Sequence, residues 1–438
     1  MAEEKETMIR PAEGGLHGEV EIPGDKSISH RSVMLSSLAD TPVRIHHFLP
    51  GQDCLSTAAC FRAMGAEITF HNAEKTELTV KGNGLRGLRE PGNILDAGNS
   101  GTTLRLMLGL MSAQPFCAAF TGDDSLRERP MGRVVKPLSR MGARIYGRAG
   151  NAKLPLMTVP ADGGLHGMIY ESPVASAQVK SSILLAGMYA DGSTTVVEPV
   201  TSRDHTERML EAFGVHTEKE GTAVTIHPVD HFTAPADIDV PGDISSAAYW
   251  LAAGSIVPGS DILLRHVGIN PTRTGILDVL QAMGADLTIS NRRTSGGEEA
   301  ADIRVRAAKL HGTEFGVDIM PRLIDEIPAI AAAALFADGD TVITGAGELR
   351  VKESDRLQAI EDQWNAIAPG SVEGSADGLV IHGGVPVQAG RVESYDDHRM
   401  AMSLAIVGLA GKGVSIVNGG CVKISYPDFY DTLDLLQN

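Results

Sequence analysis

One pattern recurs four times along this 438-residue chain: an apolar helical segment ends at a glycine, and a short alternating strand follows. The copies read AMGAEITF, RMGARIYG, AFGVHTEK and AMGADLTI and begin at positions 63, 140, 212 and 282. Glycine suits the left-handed position that ends many helices. A spacing of about 70 to 80 residues predicts a repeated supersecondary unit. The length then holds about six units, each predicted as βαβαββ, with a degraded fifth copy of the pattern near QWNAIAPGSVEG.

A second pattern, Pro-Gly-Asp, occurs twice, in VEIPGDKSISHR (residues 20–31) and IDVPGDISSAAY (residues 238–249). A chain of this length is expected to split into at least two domains. Because proline fixes φ and glycine frees it, both copies fit bends where the chain passes between domains. The sequence therefore predicts an α/β (α+β) fold with three repeats per domain and a double-crossover hinge. The predicted domains are residues 25–242 and residues 1–24 with 243–438.

Composition limits the classes of partner. The formal net charge of −17 argues against nucleic-acid binding, which needs Lys and Arg clustered on one face. The four cysteines form no C-x-x-C pair, so we expect small buried thiols in a reduced compartment, without a zinc site or disulfide frame. No apolar stretch reaches the roughly 18 residues of a membrane span, and no signal peptide is visible. A cytoplasmic protein without a membrane partner is expected.

Eight segments place a polar capping residue before apolar residues at helical spacing, which predicts a helix start at each. They are GDKSISHR, GNSGTTLR, ASAQVKSS, PGDISSAA, NPTRTGIL, DEIPAIAA, KESDRLQA and YDDHRMAM. The first adds Lys26, Ser27 and Arg31 to its cap, a combination suited to binding an anion. The second Pro-Gly-Asp copy lacks both cations and is expected only to fold. The alternative for every segment is a capped surface helix in a repetitive scaffold.

Polar residues at other predicted helix starts extend this pattern. DAGNSGTTLRLM places Asn99 and Gly101 where backbone and hydroxyl groups can approach a ligand, but it lacks the Walker A spacing for nucleoside triphosphates. Further charged candidates are Arg129, Arg203, Lys352, Glu353, Arg356, His398 and Arg399. Each alone is typical of a charged surface. Together with Lys26 and Arg31 they indicate a basic cleft for ligands with several negative charges.

The motifs PGDKSISHR, GNSGTTLR, RERPMGR, SAQVKSS, RDHTE, NPTR, DEIP, VKESDR, DDHRMAM and SYPDF span nearly the whole chain. In this order they resemble the 5-enolpyruvylshikimate-3-phosphate (EPSP) synthase family, in particular its class II branch. The resemblance implies the enolpyruvyl transferase fold, with an active site formed when two domains close. It also implies a transferase of aromatic amino-acid biosynthesis, in the shikimate pathway. Such an enzyme moves the carboxyvinyl group of phosphoenolpyruvate to the 5-hydroxyl of shikimate 3-phosphate and releases phosphate, with no metal and no organic cofactor.

The resemblance also implies residue roles. The implied shikimate 3-phosphate contacts are Lys26, Ser27, Arg31, Ser176, Ala177, Gln178, Arg203, Asp325 and Lys352. The implied phosphoenolpyruvate contacts are Lys26, Gly101, Arg129, Gln178, Arg356 and Arg399. The implied catalytic residues are Asp325, Glu353 and Lys26, with Asn99 and His398 as further candidates. Asp325 would accept the hydroxyl proton and Glu353 would deliver one to the methylene carbon, because this chemistry needs a base and an acid in one dry pocket.

One position departs from the family pattern. Several members carry a lysine just before the [ST]-[FY]-P-[DE] segment, where this chain has Ile424 preceded by Lys423, so neither residue receives a role. Gly101 leaves room for the herbicide glyphosate, which predicts sensitivity to it.

Two alternative functions stay open. One alternative is a UDP-N-acetylglucosamine enolpyruvyl transferase, whose loop cysteine is absent from TGDDSLRERP. The other is a non-catalytic sugar-phosphate-binding scaffold, which would gain nothing from Asp325 and Glu353. A monomer is expected.

Overall fold

The computed structural model describes residues 5–437, which form two compact units. Unit 1 contains the chain up to Pro23, Gly242–Arg293 and the chain from Glu299 onward, and unit 2 contains Gly24–Pro241 and Thr294–Glu298. The predicted domain limits differ by one residue at each Pro-Gly step. Residues 1–4 and 438 of the predicted second domain lie outside the described residues.

The tip of one hairpin, Thr294–Glu298, was assigned to the wrong domain by the sequence prediction. It belongs to unit 2, where the Ser295 hydroxyl oxygen accepts a hydrogen bond from the backbone N–H of Asp239. Glu298 also pairs there with the buried His205 at 2.7 Å. These contacts join residues far apart in the chain, so local sequence patterns do not reveal them.

Most strands are short. They are β1 (Glu6–Ile9), β2 (His17–Glu21), β3 (Val43–His46), β4 (Glu67–Phe70), β5 (Leu78–Lys81), β6 (Leu95–Asp96), β7 (Ala118–Thr121), β8 (Arg144–Gly147), β9 (Lys153–Val159), β10 (Ile169–Glu171), β11 (Thr194–Val197), β12 (Thr217–Glu220), β13 (Ala223–Ile226), β14 (Asp237–Asp239), β15 (Asp261–Gly268), β16 (Asp286–Ser295), β17 (Glu298–Arg306), β18 (Glu314–Phe315), β19 (Asp340–Ile343), β20 (Val372–Gly374), β21 (Leu379–His382), β22 (Gly390–Glu393) and β23 (Val414–Val417).

The α-helices alternate with these strands. They are α1 (Lys26–Ser36), α2 (Gln52–Ala63), α3 (Gly101–Met111), α4 (Asp124–Glu128), α5 (Gly132–Arg140), α6 (Arg148–Asn151), α7 (Ala177–Gly187), α8 (His205–Ala212), α9 (Ile244–Ile256), α10 (Gly275–Ala282), α11 (Ile327–Leu335), α12 (Arg356–Ile367), α13 (His398–Ala410) and α14 (Phe429–Leu436). Short 3₁₀ turns occupy Met320–Arg322, Ile324–Glu326, Gly347–Val351 and Gly419–Ile424.

Each unit contains three small sheets built on one plan. The strand orders are β14-β3-β5-β4, β6-β7-β9-β8 and β10-β11-β13-β12 in unit 2, and β16-β17-β15-β2, β18-β19-β21-β20 and β1-β23-β22 in unit 1. In the second of these, β6 and β7 are parallel, and β9 pairs antiparallel with both β7 and β8. With the intervening helices this is βαβαββ. The predicted fold class is confirmed, although the last sheet has three strands in the described chain.

The doubled Pro-Gly-Asp marks two strand-to-helix junctions whose parts are exchanged between the units. β2 pairs in parallel with β15 of unit 1, but α1, which follows β2, belongs to unit 2. β14 pairs in parallel with β3 of unit 2, but α9, which follows β14, belongs to unit 1. In both copies the aspartate caps the helix, Asp25 accepting from the N–H of Ile28 and Asp243 from that of Ser245. In unit 1, β2 therefore joins a sheet whose other strands follow Gly24–Pro241 of unit 2 in the chain. In unit 2, β14 is the last strand in the chain and joins the sheet of β3, the first.

The repeated glycine adopts the predicted conformation at every copy. Gly65, Gly142, Gly214 and Gly284 have φ of +100°, +97°, +75° and +92° just after α2, α5, α8 and α10, and a strand follows each. Gly370, with φ of +79° between α12 and β20, is the fifth copy. The eight predicted helix starts also precede helices. Local patterns in the sequence thus set both ends of the repeated helices.

Each unit has its own hydrophobic core. All nine residues of α11 are buried, in agreement with the burial on several sides that an alanine-rich helix suggests. Cys54 and Cys60 are buried and Cys421 partly so, but Cys117 is exposed just before β7, so the expectation of four buried thiols is wrong for it. Among residues 5–437, no helix is both long and apolar enough to cross a bilayer.

Candidate active site

The first helix of unit 2 carries three predicted site residues near its N-terminus. Because Asp25 caps α1, Lys26 and Ser27 stand in its first turn. Lys26 forms an ion pair with Asp53 of α2. Arg31 folds back along the helix, so that its Nη1 donates to the carbonyl oxygen of Ser27 at 2.9 Å. The expected proximity of Ser27 and Arg31 on one helix face is therefore present.

Arg31 is 5% exposed and is held by two hydroxyl groups. Its Nε donates to the Thr206 hydroxyl at 2.7 Å, and its Nη2 donates to the Ser181 hydroxyl at 3.0 Å. Burial lowers the pKa of Arg31 to about 10, and the positive charge of Arg203 acts in the same direction. The guanidinium still remains protonated at neutral pH. Two cations, Arg31 and Arg203, thus lie near each other in unit 2, as expected for a site that binds a phosphate dianion.

The N-terminus of α7 presents Ser176, Ala177 and Gln178. Ser176 is the capping residue, yet its side chain makes no capping hydrogen bond to the helix, and its backbone N–H donates to Glu198 at 3.0 Å. Gln178 reaches across to α3, where its amide nitrogen donates to the Thr102 hydroxyl at 3.0 Å and its carbonyl oxygen accepts from Arg105. Gln178 is therefore fixed by α3.

A second polar group of unit 2 surrounds the N-terminus of α3. Arg129 donates to the side-chain oxygen of Asn99 at 2.9 Å, and the Asn99 amide donates to Asp123 at 2.6 Å. A methyl group placed on Gly101 would lie 2.8 Å from Nη1 of Arg105 and 3.7 Å from Nη1 of Arg129. Glycine therefore lets the Arg105 guanidinium, which donates to Gln178, pack directly against the start of α3.

In unit 1, Asp325 lies in the 3₁₀ turn that precedes α11. Its carboxylate is 3.7 Å from Nζ of Lys352 and 3.7 Å from Nη1 of Arg356. Nη1 of Arg399 donates to the backbone carbonyl oxygen of Asp325 at 3.1 Å. The Asp325 side chain is 16% exposed. A partly buried carboxylate is thereby placed beside two cations.

Arg356, the first residue of α12, lies among three carboxylates while being 1% exposed. Nε and Nη2 donate to Asp397 at 2.8 and 3.2 Å, and Nη2 also donates to Glu353 at 2.6 Å. Nη1 is the nitrogen nearest Asp325. One buried guanidinium therefore connects the two predicted proton-transfer residues, Asp325 and Glu353.

Charges around Arg356 control the protonation of its neighbours. Burial raises the pKa of Glu353, but the positive charge of Arg356 outweighs it, and the net pKa is lowered. Burial, with the charge of Arg399, lowers the pKa of His398 to about 3, so its imidazole is neutral at neutral pH. Burial would lower the pKa of Arg399, but Asp325 and other nearby anionic groups raise it overall. The described charge state is thus a carboxylate at Glu353 and cations at both arginines.

The described structure divides the predicted residues between the units. Unit 2 holds Lys26, Ser27, Arg31, Asn99, Gly101, Arg129, Ser176, Ala177, Gln178 and Arg203, and unit 1 holds Asp325, Lys352, Glu353, Arg356, His398 and Arg399. Lys423 and Ile424, which received no role, are both exposed in a 3₁₀ turn of unit 1.

Asp397, which was not among the predicted site residues, joins two of these arginines. Its carboxylate accepts from Arg356, from the backbone N–H of Arg399 at 2.9 Å and from the Ser354 hydroxyl at 2.9 Å. The capping pattern in YDDHRMAM was a usable signal, since Asp397 is the N-cap of α13. Asp397, which caps the helix that carries Arg399, therefore also orients the side chain of Arg356.

The second Pro-Gly-Asp copy also contributes to this region of unit 1. Nη2 of Arg273 lies 3.5 Å from Asp243 and donates to the Ser245 hydroxyl at 2.7 Å. That hydroxyl donates in turn to the buried Glu326, the residue after Asp325. The copy without cations therefore supports the turn that carries Asp325, which goes beyond the expected folding role.

Asp397 gives a testable dependence of stability on pH. Burial would raise its pKa, but the charge and hydrogen bonds of Arg356 outweigh this and lower the pKa to about 2. A lowered carboxylate pKa stabilises the fold above the unfolded value near 4, and this stability is lost as the pH falls towards 2. Asp397→Asn should therefore be less stable than wild type by about 2 kcal/mol at pH 7, and the difference should narrow between pH 4 and pH 2.

Urea unfolding of both proteins at several pH values measures this difference. Asp431→Asn, which removes an exposed carboxylate of α14, serves as the control and should show no such narrowing. A difference between wild type and Asp397→Asn that stays constant from pH 7 to pH 2 would contradict the lowered pKa.

Comparison with known proteins first defines the class. NikO from Streptomyces tendae, an enolpyruvyl transferase, aligns with a TM-score of 0.78 at 18% identity, over 99% of this chain and 98% of that one, which shows a shared fold. EPSP synthase from Acinetobacter baumannii aligns with a TM-score of 0.89 at 42% identity, over 98% of both chains. The fold is therefore that of the enolpyruvyl transferases.

The family follows from sequence similarity. The model of the EPSP synthase (3-phosphoshikimate 1-carboxyvinyltransferase) family matches residues 12–433. The 3-phosphoshikimate 1-carboxyvinyltransferase of Synechococcus sp. (strain JA-3-3Ab) is 54% identical, over 98% of this chain and 96% of that protein. That of Desulforudis audaxviator is 51% identical, over 98% and 99%. The chain belongs to the EPSP synthase family of transferases, which confirms the family indicated by its ordered motifs.

Proposed function

We propose that this chain transfers the carboxyvinyl group of phosphoenolpyruvate to the 5-hydroxyl of shikimate 3-phosphate and releases inorganic phosphate. The observation that best supports this reaction is the buried Arg356 between Asp325 and Glu353. An anion-binding group flanked by two carboxylates suits a reaction that needs a bound anion, a base and an acid together. Membership of the EPSP synthase family supports the identity of the two substrates.

Shikimate 3-phosphate is assigned mainly to residues of unit 2. Its proposed contacts are Lys26, Ser27, Arg31, Ser176, Ala177, Gln178 and Arg203, with Asp325 and Lys352 of unit 1. The proximity of Arg31 and Arg203 favours a phosphate dianion. The free hydroxyl of the capping residue Ser176, which makes no bond to its own helix, is available to the same ligand.

Phosphoenolpyruvate carries a carboxylate and a phosphate, and we assign it the arginines of both units. Its proposed contacts are Lys26, Gly101, Arg129, Gln178, Arg356 and Arg399. Planar guanidinium groups bind both kinds of anion through paired hydrogen bonds. Asn99 holds Arg129 and thereby positions it.

The proposed chemistry is an addition followed by an elimination. Asp325 takes the proton of the 5-hydroxyl while the oxygen bonds to C2 of phosphoenolpyruvate, and Glu353 gives a proton to C3, which becomes a methyl group. In the second stage the C–O bond to phosphate breaks, Glu353 takes a proton back from the methyl group as the vinyl double bond forms again, and Asp325 returns its proton to the departing phosphate. Fixed cations stabilise the charge on the departing phosphate.

Glu353 must carry a proton to act as this acid, although its pKa is lowered in the described structure. An anionic substrate bound to Arg356 would offset the charge that lowers it, and a nearby negative charge raises a carboxyl pKa. Substrate binding is therefore proposed to load Glu353 with its proton. His398 stays neutral beside it and is proposed to support its position.

The test is phosphate release by the purified protein given both substrates, with each omitted in turn and the product identified by mass spectrometry. Release that requires both substrates and yields the carboxyvinyl ether supports the proposal. Release with UDP-N-acetylglucosamine in place of shikimate 3-phosphate would favour the related transferase instead. Binding of both anions without any release would favour the scaffold alternative.

Gly101 yields a prediction about glyphosate. Gly101→Ala brings a methyl group to 2.8 Å from Arg105, so this guanidinium, which donates to Gln178 of the proposed phosphoenolpyruvate site, must shift. We expect wild type to be inhibited, and the variant to need about tenfold more glyphosate for half inhibition, equivalent to about 1.4 kcal/mol. Inhibition curves at fixed phosphoenolpyruvate measure this.

Gly132→Ala provides the matched control, since Gly132 also begins a helix but a methyl group there meets only Ala152 at 3.8 Å. Its inhibition curve should coincide with that of wild type. Full wild-type activity at millimolar glyphosate would contradict the predicted sensitivity.

We also propose that the protein is a monomer in the cytoplasm, with unit 2 binding mainly shikimate 3-phosphate and unit 1 supplying the catalytic carboxylates. Light scattering coupled to size-exclusion chromatography measures the oligomeric state. A mass of twice 46.2 kDa would contradict a monomer.

A further inference from the structure

A buried charged cluster in unit 2 lies directly behind residues of the proposed substrate site. Lys180 of α7, Glu198 after β11 and Glu207 of α8 are each at most 3% exposed. Nζ of Lys180 is 3.1 Å from Glu198 and 2.8 Å from Glu207. We define these three residues as the Lys180 cluster.

Glu198 makes further contacts that Glu207 does not share. Its Oε1 accepts from the backbone N–H of Ser176 at 3.0 Å. Its Oε2 accepts from the backbone N–H of Ser202 at 3.2 Å and from the Ser202 hydroxyl at 2.8 Å. One carboxylate therefore ties together two backbone segments, the start of α7 and the loop before α8.

Lys180 reinforces the same two segments. Its Nζ donates to the backbone carbonyl of Ser202 at 3.3 Å, so the loop is held through both its N–H and its carbonyl oxygen. The next residue in this loop is Arg203, and the segment held at the other side begins with Ser176. Both residues are proposed contacts of shikimate 3-phosphate.

The cluster also reaches Arg31 through its sequence neighbours. Arg31 donates to Ser181, the residue after Lys180, and to Thr206, the residue before Glu207. The Thr206 hydroxyl donates in turn to Ser181 at 2.6 Å. All three elements that meet at the Lys180 cluster therefore carry or hold a proposed contact of the same substrate.

Buried charges are a costly way to stabilise a fold, since apolar residues of similar size often do as well or better. Geometry explains these buried charges better, because a carboxylate offers acceptors on two sides while an apolar side chain offers none. We propose that Glu198, held by Lys180, is a positioning residue that sets Ser176 and Arg203 for shikimate 3-phosphate. This inference rests on the proposed function.

Glu198→Gln is the central variant. Glutamine has one acceptor oxygen, so it cannot satisfy the N–H groups of Ser176 and Ser202 together, and its NH₂ group faces a donor on one side. We expect the Kd and KM for shikimate 3-phosphate to rise about tenfold. The KM for phosphoenolpyruvate should change by less than about twofold, because Gln178 is held separately by Thr102 and Arg105.

Glu207→Gln is the matched comparison, since it removes a charge from the same lysine and no described bond joins it to the segments of Ser176 or Ser202. Both variants should have a lower Tm than wild type, but only Glu198→Gln should strongly weaken the binding of shikimate 3-phosphate. Ser202→Ala removes only the hydroxyl bond to Glu198, so it can test the inference if Glu198→Gln does not fold. It should raise the Kd for shikimate 3-phosphate about threefold.

The measurements are calorimetric binding of shikimate 3-phosphate, steady-state kinetics for both substrates, and Tm. Equal weakening by Glu198→Gln and Glu207→Gln would show an effect of charge balance and overturn the inference. If Glu198→Gln binds shikimate 3-phosphate with wild-type affinity, the inference is overturned; Ser202→Ala serves for this comparison if Glu198→Gln does not fold. Wild-type activity would in that case still uphold the proposed function. A wild type that neither binds nor converts shikimate 3-phosphate would overturn both.

Discussion

Asp325→Asn is expected to lower kcat by about 10²- to 10⁴-fold, the usual contribution of a positioned general base. Asparagine keeps the size of the side chain but cannot take the proton of the 5-hydroxyl. The backbone carbonyl of residue 325 would still accept from Arg399, so the turn should keep its place. The KM values should therefore change much less than kcat. Steady-state phosphate release with both substrates measures these constants.

The control for this variant is Glu348→Gln. Glu348 lies 3.5 Å from Nζ of Lys352, the lysine that also neighbours Asp325, and its side chain is 51% exposed. The control removes a carboxylate from the same lysine without touching the proposed base. It should retain wild-type kcat. A loss of similar size in both variants would mean that the charge near Lys352 matters and that Asp325 is not the base.

Glu353→Gln is the second substitution with a large expected effect. Glutamine can still accept from Arg356 through its amide oxygen, so the arginine should remain in place. It has no acidic proton to give to C3, and we expect kcat to fall by about 10²- to 10⁴-fold. Substrate binding should persist, because the cations proposed to hold the anions are unchanged. Calorimetric titration with shikimate 3-phosphate separates binding from catalysis.

The pH dependence of the wild type provides a further check on Glu353. If the acid must be protonated in the complex with both substrates, kcat should fall as the pH rises above the pKa of Glu353 in that complex. The variant should lack this limb of the profile. A Glu353→Gln enzyme with near wild-type kcat and the same profile would remove Glu353 from the proposed role of acid.

Local rules accounted for much of the fold. Gly65, Gly142, Gly214 and Gly284 were identifiable because a left-handed residue at a helix end strongly favours glycine. Asp25 and the other caps were identifiable for a similar reason, since a side-chain acceptor satisfies free N–H groups in the first turn. These features depend on a few neighbouring residues, so the chain shows them without its tertiary structure.

Features that depend on distant partners were not predictable in this way. The hairpin of β16 and β17 was not predicted, and nothing local shows that its tip belongs with Asp239 and His205. The Lys180 cluster is similar, because Lys180 and Glu207 look like surface charges on two ordinary helices. Only the packing of three elements shows that they are buried and paired.

The candidate site itself came largely from family resemblance. The residues alone indicated a basic, anion-binding cleft in an acidic protein, because cations followed several helix caps. The resemblance supplied the substrates and the division of roles. The structure added the connections, such as Asp397 between Arg356 and the backbone of Arg399, which follow from two helix N-termini lying side by side.

The exchanged strands at the two Pro-Gly-Asp junctions have a consequence for synthesis on the ribosome. Apart from its small hairpin tip, unit 2 is one continuous stretch, so it can complete its three sheets before most of unit 1 exists. β1 and β2 are made before unit 2, but they pair with β23 and β15, which are made after it. Both strands thus stay unpaired while unit 2 is made, and an unpaired strand edge can bind another chain during that time.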